Sequence, residues 1–168
     1  GKRVILPSTF VGSARYMNEL YQDAMALIRK YGKPDVFITF TCNPHWPEII
    51  ENIINNDASN RADLCVRVFK LKYDELMDDL LVKNTVGKVI SYIDVVEFQK
   101  RGLPHAHILL ILDKKDKPVT TDDYDLIVCA EIPDPITEPL LYKTIMRHNI
   151  HGPCGNHNIN SPCMSEKN

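Results

Sequence analysis

The feature that most constrains this chain is a pair of strand-length segments joined by a short basic turn. Val89 to Phe98 alternates loosely between apolar and polar residues, "QKRGLP" follows, and His105 to Leu112 is wholly apolar after its two histidines. Alternation at period two, interrupted by a turn containing glycine and proline, predicts an antiparallel β-hairpin.

The two histidines stand where that second strand begins. Side chains alternate across a strand, so His105 and His107 share a face, with Cα atoms about 7 Å apart. If the preceding strand returns antiparallel, Glu97 lies across the ladder near them, where facing Cβ atoms are about 4.5 to 5.5 Å apart. Two neutral imidazoles and one carboxylate leave positions open for water and a substrate oxygen, as a catalytic metal site requires. With no thiolate in the set, a hard divalent ion such as Mg2+ or Mn2+ is favoured, although imidazole also accepts zinc. The plainer reading is two partly exposed polar side chains on a solvent face, and the residues alone leave both open. A double-stranded β-helix metal site does not fit, because it wants a Glu three or four residues after the second His, where Leu110 and Ile111 stand. Lys100 and Arg101, inside the turn, are either solvated charges or contacts to nucleic-acid phosphates.

Elsewhere the pattern alternates between helices and strands. Ser13 reads as an N-cap, and Met17, Leu20, Tyr21, Ala24, Leu27, Ile28 and Tyr31 recur at helical spacing until Gly32 and Pro34 stop them. "DVFITFTC", Asp35 to Cys42, reads as a central strand feeding the loop "NPHWP". Pro47 opens a short helix, and a longer one runs from about Arg61 to Val82 with Leu64, Val68, Leu71, Leu76 and Leu80 on its apolar face. "YDLIVCAEIP" is helix or strand, undecided by period, and Thr137 with Pro139 opens a helix through Leu141, Ile145 and Met146. The expectation is an α+β fold, an antiparallel sheet flanked by helices over residues 1–150, followed by a Cys/His-rich segment at 151–168.

Composition bounds the function classes. With 168 residues, 44% of them hydrophobic and 25% charged, the chain can bury a core. A net charge of -2 makes it no general attractor of nucleic acid, so any such contact must be local. No apolar run is long enough for a bilayer and no leader is evident, which predicts an intracellular protein with no membrane partner. Five cysteines, an odd number, suggest reduced thiols or metal ligands rather than a disulfide framework. Cys42, Cys65 and Cys129 lie in apolar segments and read as small core residues. His151, Cys154, His157 and Cys163 offer four tetrahedral ligands for a structural zinc, although their spacing matches no standard finger and a disordered end is the other reading.

At these residues a resemblance appears. "GLPHAHILL" resembles the His-hydrophobe-His motif of HUH endonucleases, and the Glu97-to-His105 spacing is that of rolling-circle initiators in which a Glu is the third metal ligand. Together with "YQDAMALIRKYGKPDVFITFTCNPHWPEI" and "AEIPDP...HGPCG", it makes nearly the whole chain similar to the replication-initiator region of Helitron rolling-circle transposases. The resemblance implies a ferredoxin- or RRM-like HUH core, metal-dependent cleavage and joining of single-stranded DNA through a tyrosine ester, a nuclear location and a helicase domain in the parent protein. It also implies that "FITFT" is the first initiator motif, making Thr39, Thr41, Asn43 and Trp46 candidate DNA contacts. A base stacked on Trp46 would contribute about 1 to 3 kcal/mol; the alternative is that this Trp plugs the edge of the core.

Helitron proteins usually carry two nucleophilic tyrosines four residues apart. Tyr16, Tyr21, Tyr31, Tyr73, Tyr92, Tyr124 and Tyr142 include no such pair, so the nucleophiles are expected beyond Asn168 and the chain alone is expected to cleave poorly. Two other classes remain in view at this point: a nucleic-acid- or protein-binding module without catalysis, and a metallohydrolase that uses bound water. Oligomeric state is not legible from these residues.

Overall fold

A computed structural model describes residues 4–53, 61–98, 102–128 and 131–148. The chain divides into two compact units, Gly1–Val119 and Thr120–Asn168. Among the described residues, no helix is long and apolar enough to cross a membrane.

The first unit opens with helix α1 (Ala14–Tyr31), whose ends lie where the sequence signals put them. Ser13 Oγ accepts the Tyr16 N–H at 3.1 Å, satisfying one of the donors that a helix start leaves free. Gly32 ends the helix at a φ of 99°, and its N–H reaches the Ile28 carbonyl at 2.9 Å. That backbone region is strained for residues with a Cβ, so glycine is the natural stop. Strand β1 (Val36–Thr41) follows, then the one-turn helix α2 (Pro47–Ile50), with proline where the missing N–H removes no bond. Helix α3 (Ala62–Leu81) leads to the hairpin of β2 (Val89–Phe98) and β3 (Pro104–Leu112).

The three strands form one antiparallel sheet in the order β1-β3-β2, with an irregularity of register between Val89 and Ser91. Among the described residues β1 is therefore an edge strand, which corrects the expectation that "DVFITFTC" is central. The reason lies in burial: Phe37, Thr39 and Thr41 are exposed at every second position of β1, whereas β3 buries Ala106, Ile108, Leu110, Ile111 and Leu112 completely. The more continuously apolar strand takes the middle. Asp35 secures the β1–β3 pair at the end far from the histidines, accepting the Leu112 N–H and the Lys117 ammonium, each at 2.8 Å.

α3 covers one face of the sheet. Cys65, Val68, Phe69, Tyr73 and Leu80 are buried along it and form the core with Ala106, Ile108 and Leu110. Leu71, expected on this face, is 68% exposed. It stands two positions from Phe69, about 200° around the helix, and so points away from the sheet. Phe40 packs its ring 5.2 Å from that of Phe69, and Tyr73 donates its hydroxyl to Asp94 Oδ2 at 2.7 Å. Burying a side chain such as Ile108 contributes about 1.5 to 3 kcal/mol.

Cys42 and Cys65 are buried thiols in this core and form no disulfide among the described residues, as their apolar settings suggested. Burial, then the neighbouring Cys65, pushes the Cys42 thiol up to about 12. Cys129 lies outside the described residues.

In the second unit, helix α4 (Thr121–Ile127) takes in the start of "YDLIVCAEIP", whose period decides neither helix nor strand, and the backbone turns extended at Val128. A capping box opens it: Thr120 Oγ1 accepts the Asp123 N–H, and Asp123 Oδ2 accepts the Thr120 N–H. Helix α5 (Pro139–His148) begins after Thr137 because Asp134 holds the Ile136 and Thr137 N–H groups in a turn, at 2.6 and 3.0 Å.

Candidate metal centre

Paired residues of an antiparallel ladder point to the same face. The register sets Glu97 opposite His105 and Val95 opposite His107 on one side of β3, and Thr41 opposite His105 and Thr39 opposite His107 on the other. These side chains lie on the sheet face away from α3, because Ala106 and Ile108, which alternate with the histidines, are the ones buried in the core. The hairpin supplies all three donors of the expected set, and the last pair before its turn is Phe98 with Pro104.

One donor atom from each of Glu97, His105 and His107 lies within 4.8 Å of the other two. His107 Nε2 stands 3.2 Å from Glu97 Oε1, and the two imidazoles meet edge to face with centroids 4.5 Å apart at 76°. Glu97 is the most open of the three, with 56% of its side chain exposed, so a solvent-borne ligand can reach the cluster. Bond lengths near 2.1 Å would bring donors around one ion to separations of about 3 Å, a contraction within reach of small side-chain rotations. The donor set fits a divalent cation: two neutral nitrogens, one anionic oxygen and open positions beyond them.

Two contacts around the histidines were not read from the sequence, and both come from β1. Thr41 Oγ1 lies 2.6 Å from His105 Nδ1, and the Phe37 ring stacks on His107 with centroids 5.7 Å apart at 9°. Their signal was present as exposed residues at alternate positions of "FITFT", but only the β1–β3 register reveals which histidine each one meets.

The other candidate contacts are not all gathered here. Thr39 is exposed beside His107 on the same face. Asn43 shapes its own loop, its Oδ1 accepting the His45 N–H at 2.9 Å. Trp46 is half-buried and packs against the core, stacked with Phe40 at 5.9 Å and approached by Lys72 Nζ at 5.3 Å from the ring centre. It therefore sits on the α3 side of the sheet, away from the donor cluster. A groove of about 450 Å³ on that side, lined by Phe69, Tyr73, Met77, Val96 and Phe98 among others, contains none of the three donors. Lys100, Arg101, His151, Cys154, His157 and Cys163 lie outside the described residues.

Comparison with known families bears on this geometry. Residues 1–110 match the family model described as the Helitron helicase-like domain at the N-terminus. The chain belongs to this Helitron family. The match runs from the start of the chain into β3 and takes in Thr41, Glu97, His105 and His107. It gives this Helitron domain a transposase-related context. No curated protein matches the chain.

Proposed function

We propose that this Helitron domain is a metal-dependent nuclease of the HUH type that nicks and rejoins single-stranded DNA, with Glu97, His105 and His107 holding Mg2+ or Mn2+. The supporting observation is the convergence of two imidazoles and a carboxylate on paired strands of a Helitron-family chain. A divalent ion bound there supplies Lewis-acid polarisation of a phosphoryl oxygen.

The chain's own residues contribute placement. β2 and β3 fix the three donors on one open face, and Thr39 lines the same face where a DNA backbone would pass. Lys100 and Arg101 fall in the sequence between the carboxylate and the histidines, and their charge suits the phosphates flanking the one at the metal. In the tyrosine-ester reaction a phenolic oxygen bonds to phosphorus as the bond from phosphorus to the 3′ oxygen breaks. The phenol gives up its proton and the departing oxygen takes one, leaving a 5′-phosphotyrosine and a free 3′-hydroxyl. Tyr73 is unsuited to that role, since its hydroxyl is bound to Asp94 on the opposite face. The reading assigns the nucleophile to another part of the parent protein, where the family description also supports a helicase domain.

Calorimetric titration of Mn2+ into wild type, Glu97→Ala, His105→Ala and His107→Ala tests the ligand set. Wild type is expected to bind a single ion, and each histidine variant to bind it more than about 100-fold more weakly, since loss of an outer-shell partner alone costs 10- to 100-fold. Identical isotherms for all four proteins would overturn the assignment.

A further inference from the structure

We propose that Thr41 is a positioning residue for the metal centre: its hydroxyl accepts the Nδ1 proton of His105 and so fixes which ring nitrogen is left for the ion. This inference rests on the metal reading given above. The distance of 2.6 Å between Thr41 Oγ1 and His105 Nδ1 is hydrogen-bonding contact, just under the usual N–H···O separation, and the partners are 64 residues apart in sequence.

A neutral imidazole carries one N–H and one lone pair, and only the lone pair can bind a cation. With Nδ1 engaged by Thr41, the nitrogen that remains is Nε2. A bond running from Nδ1–H to the threonine oxygen leaves the Nε2 lone pair free. The reverse bond, from the hydroxyl to Nδ1, puts the proton on Nε2 and blocks the metal. Thr41 in the acceptor role leaves the competent tautomer, and in either role it holds the plane of the ring.

The backbone makes this contact dependable. Thr41 and His105 are direct cross-strand partners, so their Cβ separation is set by the ladder. A β-branched side chain has few χ1 options, which keeps the hydroxyl aimed across the ladder. His107 is oriented by different means, through the Phe37 ring and the Glu97 carboxylate. A short hydroxyl residue on β1 therefore performs for His105 what an aromatic residue on the same strand performs for His107.

Thr41→Val keeps the shape and removes the hydroxyl, and Thr41→Ser keeps the hydroxyl. In metal-free protein, long-range proton–nitrogen NMR of the His105 ring is expected to show the Nδ1–H tautomer alone in wild type and Thr41→Ser, and a mixture in Thr41→Val. Mn2+ affinity is expected to fall about 10- to 100-fold in Thr41→Val and to return close to wild type in Thr41→Ser. An Nε2–H tautomer in wild type, or a Thr41→Val protein with unchanged tautomer and unchanged affinity, would overturn the proposal. If wild type binds no Mn2+, the metal reading fails, and the metal-free spectra still decide whether Thr41 sets the tautomer.

Discussion

The two faces of the sheet are built from the same strand and do opposite things. On one, Ala106, Ile108 and Leu110 are sealed under α3 with Phe69 and Tyr73; on the other, His105 and His107 stand half-buried beside the exposed Glu97 and Thr41. Alternate residues of β3 thus serve the core and the candidate centre in turn. The apolar set can hold the backbone still while the polar set exchanges ligands with solvent. Rigidity behind and access in front suit a site whose donors must be in place before the ion arrives.

This division is exposed to direct attack. The largest effect is expected for Ile108→Ala, which should lower unfolding free energy by about 2 to 5 kcal/mol in urea titrations. The protein that remains folded should bind Mn2+ as wild type does; weakened binding in the folded state would break the separation of the faces. Tyr73→Phe should cost about 1 kcal/mol at neutral pH, the usual net worth of one hydrogen bond. Burial, followed by the bond to Asp94, holds the Tyr73 phenol above its ordinary range. The folded protein therefore keeps this proton after the unfolded chain begins to lose it. Its stabilising contribution is complete below about pH 10 and declines as pH rises from there. Wild type should accordingly lose stability above that pH more steeply than Tyr73→Phe, and parallel pH profiles would remove the hydrogen bond from the argument. The smallest effect is a non-reaction: Cys42 and Cys65 should resist iodoacetamide at pH 8 in the native protein and react in urea, as read by peptide mass spectrometry. Both are buried, and the Cys42 thiol is pushed up to about 12.

What was legible in the sequence is what is local. The bounds of β2 follow from an alternating run cut by a polar turn, and α1 is delimited by Ser13 and Gly32. Glu97, His105 and His107 could be read as neighbours because a single hairpin carries all three, so one turn determines their approach. The edge position of β1 was not legible, since β-branched and aromatic content signals a strand without saying which strands lie beside it. The exposure of Leu71 is not legible from apolar spacing, because leucine and valine positions spread over a broad arc of α3, whereas the buried line runs through Cys65, Phe69 and Tyr73. The Thr41–His105 bond depends on a pairing between segments far apart in the chain, and no local pattern encodes it.

The register irregularity at Val89 and Ser91 lies at the opposite end of the ladder from the Glu97–His105 pair. Length variation there is absorbed before the ladder becomes regular, which makes the start of β2 the tolerant place for grafts, labels or natural indels. A one-residue slip of β3 against its neighbours would have the reverse outcome, rotating the imidazoles under α3 and turning Ala106 and Ile108 out to water. Inheritance of the centre and of the hydrophobic interior is therefore coupled in this strand, and drift in its phase would forfeit both together.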